Sequence, residues 1–288
     1  MTLVFQEQRL YRRTVGRRRV IYTVGILIGV VIAVLALLVG LGVVPGATAK
    51  YVSVCIMFPA VYLPFLALWD NPGEKRTWLE RLSAFGFLWL VLGCLIEAGW
   101  ELTWALTDVT NVIHGATADD RWLWIWWVYT SADTRYLITP SDSTVFSLEV
   151  MAGLCGPLLI YTLWTQSRGN YIRANWMALL LLWPLAYADY PFMISEWHQG
   201  FHHIQGGWFG FWIIFWGLNL PWAIAPVPLI WGKILEIRYW YQRENFLQFR
   251  DAGGDVAILP ASDGLTPRWA GVPAAQQPPT PAPTASSA

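Results

Sequence analysis

Four carboxylates, Glu97, Glu149, Asp189 and Glu196, lie inside or at the ends of segments otherwise apolar enough to cross a membrane. A charge at bilayer depth is costly, so each is a functional candidate. The chain also holds 20 tryptophans among its 288 residues. A neutral carboxyl in a dry site can protonate an alkene or an epoxide oxygen, and an indole face can stabilise the resulting carbocation. Acids among aromatic walls inside a membrane therefore suggest proton-initiated chemistry on a lipophilic substrate.

Each acid also has a plainer reading. In CLIEAGWELTW, helical spacing puts Glu97, Trp100, Glu101 and Trp104 on one face. Glu101 reads equally as a cap near the interface, whereas Glu97 follows a long apolar run. Glu149, early in its span, is either functional or an interfacial side chain reaching for water. Asp189 stands between Pro184 and Pro191 and could serve a locally broken helix. Glu196 could be only a helix-end residue. Asn219 and Trp222 share a face beside Pro221; the first reads as helix glue or as an orienting group, the second as packing or as a cation-stabilising ring. His198, His202 and His203 invite a metal reading, but the chain has only four histidines, counting His114. Asp119-Asp120 lacks companions for a diphosphate-magnesium site. Neither metal nor cofactor is expected, and no P-loop, dinucleotide fingerprint or nucleophile elbow is found.

These residues need a membrane scaffold. Hydrophobic residues make up 56% of the chain, charged residues 13%, and mean hydropathy is +0.41. Six spans are expected, near 20–44, 51–69, 82–104, 143–166, 174–195 and 208–232. With the N-terminus in the cytosol, 16 of the 19 Lys and Arg fall on that side; Lys50, Arg121 and Arg135 do not. Both termini are therefore expected to be cytosolic. Net charge is zero, which argues against nucleic acid. Cys55, Cys94 and Cys155 lie within spans and read as packing residues. The chain divides into a basic N-terminus (1–19), two spans and a basic loop (20–80), a bundle carrying the acids (81–235) and a largely disordered tail (236–288), rich in Pro, Ala, Gly and Ser from about 251.

Several motifs, in order, resemble the emopamil-binding-protein superfamily, the EXPERA fold, over roughly 90–225. Ile96-Glu97 with Trp100 resembles its IEGW. Trp126, Tyr129, Asp133, Arg135 and Tyr136 resemble W-x-x-Y-x-x-x-D-S-R-Y, with Thr134 for Ser. Glu149 precedes Gly156-Pro157. Tyr187, Asp189, Glu196, Gly200, Phe201 and His203 fit the next motif, and Asn219 and Trp222 fit N-x-x-W. The resemblance implies an all-α membrane protein with an EXPERA-like four-to-five-helix bundle and an extra N-terminal span. It also implies an endoplasmic-reticulum location.

By the same resemblance Glu97, Glu149, Asn219 and Trp222 become the catalytic set. The substrate-binding set comprises Trp100, Glu101, Trp104, Tyr129, Asp133, Arg135, Tyr136, Asp189, Glu196, Trp212 and Trp216, and Trp183 is a further wall candidate. The superfamily's sterol isomerases carry a His one turn before the first Glu and a Thr three residues after the second. Here those positions hold Gly93 and Ala152. A cyclase does not have to return its proton to a neighbouring ring carbon, so the departures tilt the reading towards the superfamily's membrane-integrated terpene cyclases. These act on a prenylated, meroterpenoid substrate. A sterol Δ8-Δ7 isomerase is the alternative, and a non-catalytic sterol-binding or trafficking protein is a third. The partners implied are the bilayer and a lipophilic prenylated aromatic or sterol-like molecule; a homodimer is left open.

Overall fold

A computed structural model describes residues 2–11 and 17–260. The chain is an all-α membrane protein in which six helices are long and apolar enough to span a bilayer. They are α1 (Arg17–Gly40), α2 (Gly46–Leu68), α3 (Trp78–Val109), α5 (Ser143–Ser167), α6 (Tyr171–His198) and α7 (Phe209–Asp251). A short helix α4 (Trp124–Thr130) lies between α3 and α5. The expected spans are all present. The third and sixth run beyond their expected ends, because the charged residues that close each apolar window continue the helix outside it.

Local sequence sets the helix starts. At Thr77, side chain and backbone form a reciprocal capping box with Glu80 that opens α3. Asp142 accepts from the Thr144 and Val145 amides at the start of α5, and Asn170 accepts from Arg173 N at the start of α6. The central bundle is α3, α5, α6 and α7, packed in that cyclic order. Two glycines bring α5 onto α3. A Cβ on Gly156 would lie 2.5 Å from Ala98 N, and one on Gly153 would lie 2.8 Å from Leu102 N. Small residues permit this backbone approach, which holds the acid of α5 opposite those of α3.

Two stretches within the spans have a wider turn than an α-helix. Glu97–Glu101 in α3 and Phe209–Gly217 in α7 are π-helical. Such turns are rare and concentrate at functional sites. α1 sits at the periphery with most of its apolar surface uncovered.

At the basic end, β1 (Leu3–Gln6) pairs in parallel with β2 (Val256–Leu259). The segment after β1 is tied to three spans: Arg9 N donates to Glu80 Oε1 at 2.6 Å, Gln8 N to the Tyr239 hydroxyl at 3.0 Å, and the Tyr11 hydroxyl to Asn175 Oδ1 at 2.9 Å. The boundaries drawn at 19 and 236 therefore shift. Ordered structure extends to Asp251 as helix and resumes at Val256 as strand. Residues 261–288, with the Pro/Ala-rich stretch, lie outside the described residues, as do Arg12, Arg13 and Arg268.

Candidate active site

A cavity of about 130 Å³ opens between α2, α3, α5, α6 and α7. Its polar lining consists of Glu97, Glu101, Glu149, Asp189, Asn219, Tyr129 and Tyr136, with Trp100, Trp222 and Phe192 among its aromatic walls. Met57 and Val61 of α2 close one side, so the site reaches beyond the 81–235 bundle.

The π-turn shapes the first pair of acids. It sets Glu97 and Glu101 side by side, with their carboxyls in hydrogen-bonding contact. Glu101 is thus not a helix cap, because α3 continues eight residues past it to Val109. Across the Gly153/Gly156 contact, Glu149 is buried and accepts a short hydrogen bond from the Tyr136 hydroxyl. It does not reach outward to water. Burial first, and then the Glu149 carboxylate, hold the Tyr136 hydroxyl well above its ordinary pKa, so it remains a donor at working pH. Burial likewise raises Tyr129, with Asp133 adding to it. Tyr129 OH donates to Asn219 Oδ1 at 3.1 Å, and Asn219 Nδ2 lies 2.9 Å from the same hydroxyl. Trp222 stands on the cavity wall, backed by Trp89 at 4.7 Å between ring centroids. Asp189 opens onto the cavity from α6. Among the described residues, Glu97 Oε2, Glu101 Oε2, Glu149 Oε2 and Asp189 Oδ2 are buried, and apart from the contact between the Glu97 and Glu101 carboxyls none of the four has a hydrogen-bond partner. Unsatisfied buried polar atoms are costly, and four around one cavity mark a place built for a ligand or a reaction.

A second polar group lies behind this wall. Arg135 donates to Asp133 Oδ2 at 2.6 Å and to Ser195 Oγ at 2.8 Å, and its Nε is 3.2 Å from Glu196 Oε1. His203 Nδ1 is 2.7 Å from the same Glu196 oxygen. Gly200, at φ +69°, makes the turn that folds His203 back onto Glu196. Burial raises the Asp133 carboxyl, and Arg135 opposes that shift. The guanidinium lies 4.5 Å from the centroid of Phe192, a cavity-wall residue. Asp133, Arg135 and Glu196 therefore support the site and do not line it. Glu196 is fully buried, not a solvated helix end.

Four indoles expected at the site lie elsewhere. Trp104 is wholly buried against Tyr136, Trp216 packs with Phe211 and Phe215, and Trp183 and Trp212 are more than half exposed. His198 and His202 are exposed, and no ligand cluster of three or more His, Cys, Asp or Glu forms among the described residues. Asp120 caps its own turn, accepting from Thr117 N at 2.6 Å.

The chain is 26% identical over 211 residues to the 3-beta-hydroxysteroid-Delta(8),Delta(7)-isomerase of Cavia porcellus, covering 71% of this chain and 86% of that protein. No family model matches, and no solved structure does. This similarity backs the sterol-isomerase reading better than the cyclase towards which Gly93 and Ala152 tilt the sequence.

Proposed function

We propose that this chain is a membrane-embedded acid catalyst that shifts a double bond in a sterol-like polycyclic alkene. The observation carrying the reading is the convergence of Glu97, Glu101, Glu149 and Asp189 on one aromatic-walled cavity. Protonation of the alkene gives a tertiary cation, Trp222 faces it, and a carboxylate removes the neighbouring proton. Similarity to a sterol isomerase supplies the substrate class. The test is expression in yeast lacking its own sterol isomerase. Conversion of Δ8 to Δ7 sterol is expected, with one solvent deuterium retained when the reaction runs in heavy water. Sterol bound but never converted would leave a binding protein.

A second reading keeps the same first step but ends in cyclisation of a prenylated, meroterpenoid substrate. Two residues favour it. Ala152 is the cavity-lining residue where the isomerases carry Thr, and Gly93, where they carry His, packs towards Leu159. Failure on the Δ8 sterol with turnover of a farnesylated aromatic epoxide would establish it.

From the 16-to-3 asymmetry of basic residues we infer that the strand-bearing end faces the cytosol and the Arg135 cluster the far side of an endoplasmic-reticulum membrane. Tags at both termini should be digested by protease added to intact microsomes; protection of both would reverse this orientation, and protection of one alone would break the six-span count.

A further inference from the structure

Glu101 sits where a second carboxyl is hard to explain as substrate binding alone. It touches the Glu97 carboxyl across the π-turn, and Glu149 and Asp189 are the next nearest charges. Tyr129 and Tyr136 are the other titratable groups on the cavity, with Cys94 and Cys155 beside Glu97. Among the described residues no Lys, Arg or His lines the cavity. Two touching carboxyls with no cation nearby must hold protons between them.

We propose that Glu101 is a positioning residue that strengthens Glu97 as the acid, by donating its own O–H to the Glu97 carboxylate as that carboxylate forms. The inference rests on the alkene-protonation reading. Glu97 transfers its proton to an alkene carbon. The π electrons make the new C–H bond, and the neighbouring carbon becomes the cation. The O–H electron pair stays on Glu97, where the neutral Glu101 O–H stabilises it. Loss of a proton from the adjacent carbon to a carboxylate regenerates a double bond and restores the proton count. In a dry site a hydrogen bond to the ionised form is stronger than one to the neutral form, so Glu101 acts mainly on the transition state.

Glu101→Met and Glu101→Gln test the assignment in lipid nanodiscs. Loss of a charge-assisted hydrogen bond should lower kcat roughly ten- to a hundredfold in the Met variant with little change in KM. The Gln variant, which keeps an N–H donor, should recover part of the rate. The solvent isotope effect should rise in the Met variant as protonation becomes slower. Without any substrate, the infrared C=O band of a protonated carboxyl pair should be present in the parent, retained in Glu149→Gln and lost in Glu101→Met. An unchanged band in Glu101→Met, or equal rate losses in the Met and Gln variants with an unmoved isotope effect, would overturn the role. A parent that converts no alkene would instead overturn the reading beneath it, while the infrared result would still decide whether the carboxyls are paired.

Discussion

Glu149→Gln and Glu97→Gln are each expected to reduce turnover by about 10²–10⁴-fold, the usual contribution of a positioned general acid or base. Gln keeps the size and planarity of Glu but has no transferable proton. At position 149 its amide oxygen can still accept from the Tyr136 hydroxyl, so loss of activity there would report chemistry and not collapse of the cavity. Trp222→Ala should change product distribution more than rate, since the cation loses a guiding π face; Trp222→Phe should keep part of that control. Product formed in microsomes, normalised to protein level, measures all four. If both Gln variants match the parent, the acid must be sought at Glu101 or Asp189. Glu196 is no longer an alternative, because Arg135 and His203 occupy it away from the cavity.

The second large effect is expected on stability. Arg135→Met should lower stability by about 3–5 kcal/mol, because it removes the cation between two buried carboxylates. Asp133 and Glu196 are at most 2% exposed and have no water to turn to. The damage should reach the cavity through Phe192 and through Tyr136, the residue next in the chain. Arg135→Lys should recover only part, since an ammonium cannot reproduce the forked contacts to Asp133 and Ser195. Arg135→Met/Asp133→Asn, which removes one of the stranded charges, should be more stable than Arg135→Met alone. Thermal unfolding in detergent is the measurement. An Arg135→Met protein that melts with the parent would show the cluster to be energetically idle.

The spans and the central acids were legible because hydropathy and the cost of intramembrane charge are properties of sequence windows. The tryptophans were not. An indole suits a cavity wall, a packed core and the lipid-facing surface alike, so composition could not separate Trp100 and Trp222 from Trp183 and Trp212. Face arithmetic failed at Trp104 for a different reason. It assumes 3.6 residues per turn throughout, and the π-turn at Glu97–Glu101 changes the phase midway. Trp104 therefore packs behind Tyr136 and does not reach the cavity wall that Glu97 lines. Met57 and Val61 left no signal, since an apolar residue in an apolar span carries no mark of what it faces. Arg135 was visible as a candidate, but its role was not; a buried arginine clamped by two acids reads the same in sequence as one that waits for a ligand.

The pairing of Leu3–Gln6 with Val256–Leu259 carries a topological consequence. Backbone hydrogen bonds cannot reach across a bilayer, so a chain whose first strand zips to one beyond its sixth span has crossed the membrane an even number of times between them. Six satisfies that parity, and neither five nor seven could. The ladder joins residues more than 250 positions apart, so it can close only after the last span has been inserted. It is in effect a proofreading seal on insertion: a copy with one helix left out would keep its two ends on opposite sides of the membrane, with both strand edges bare.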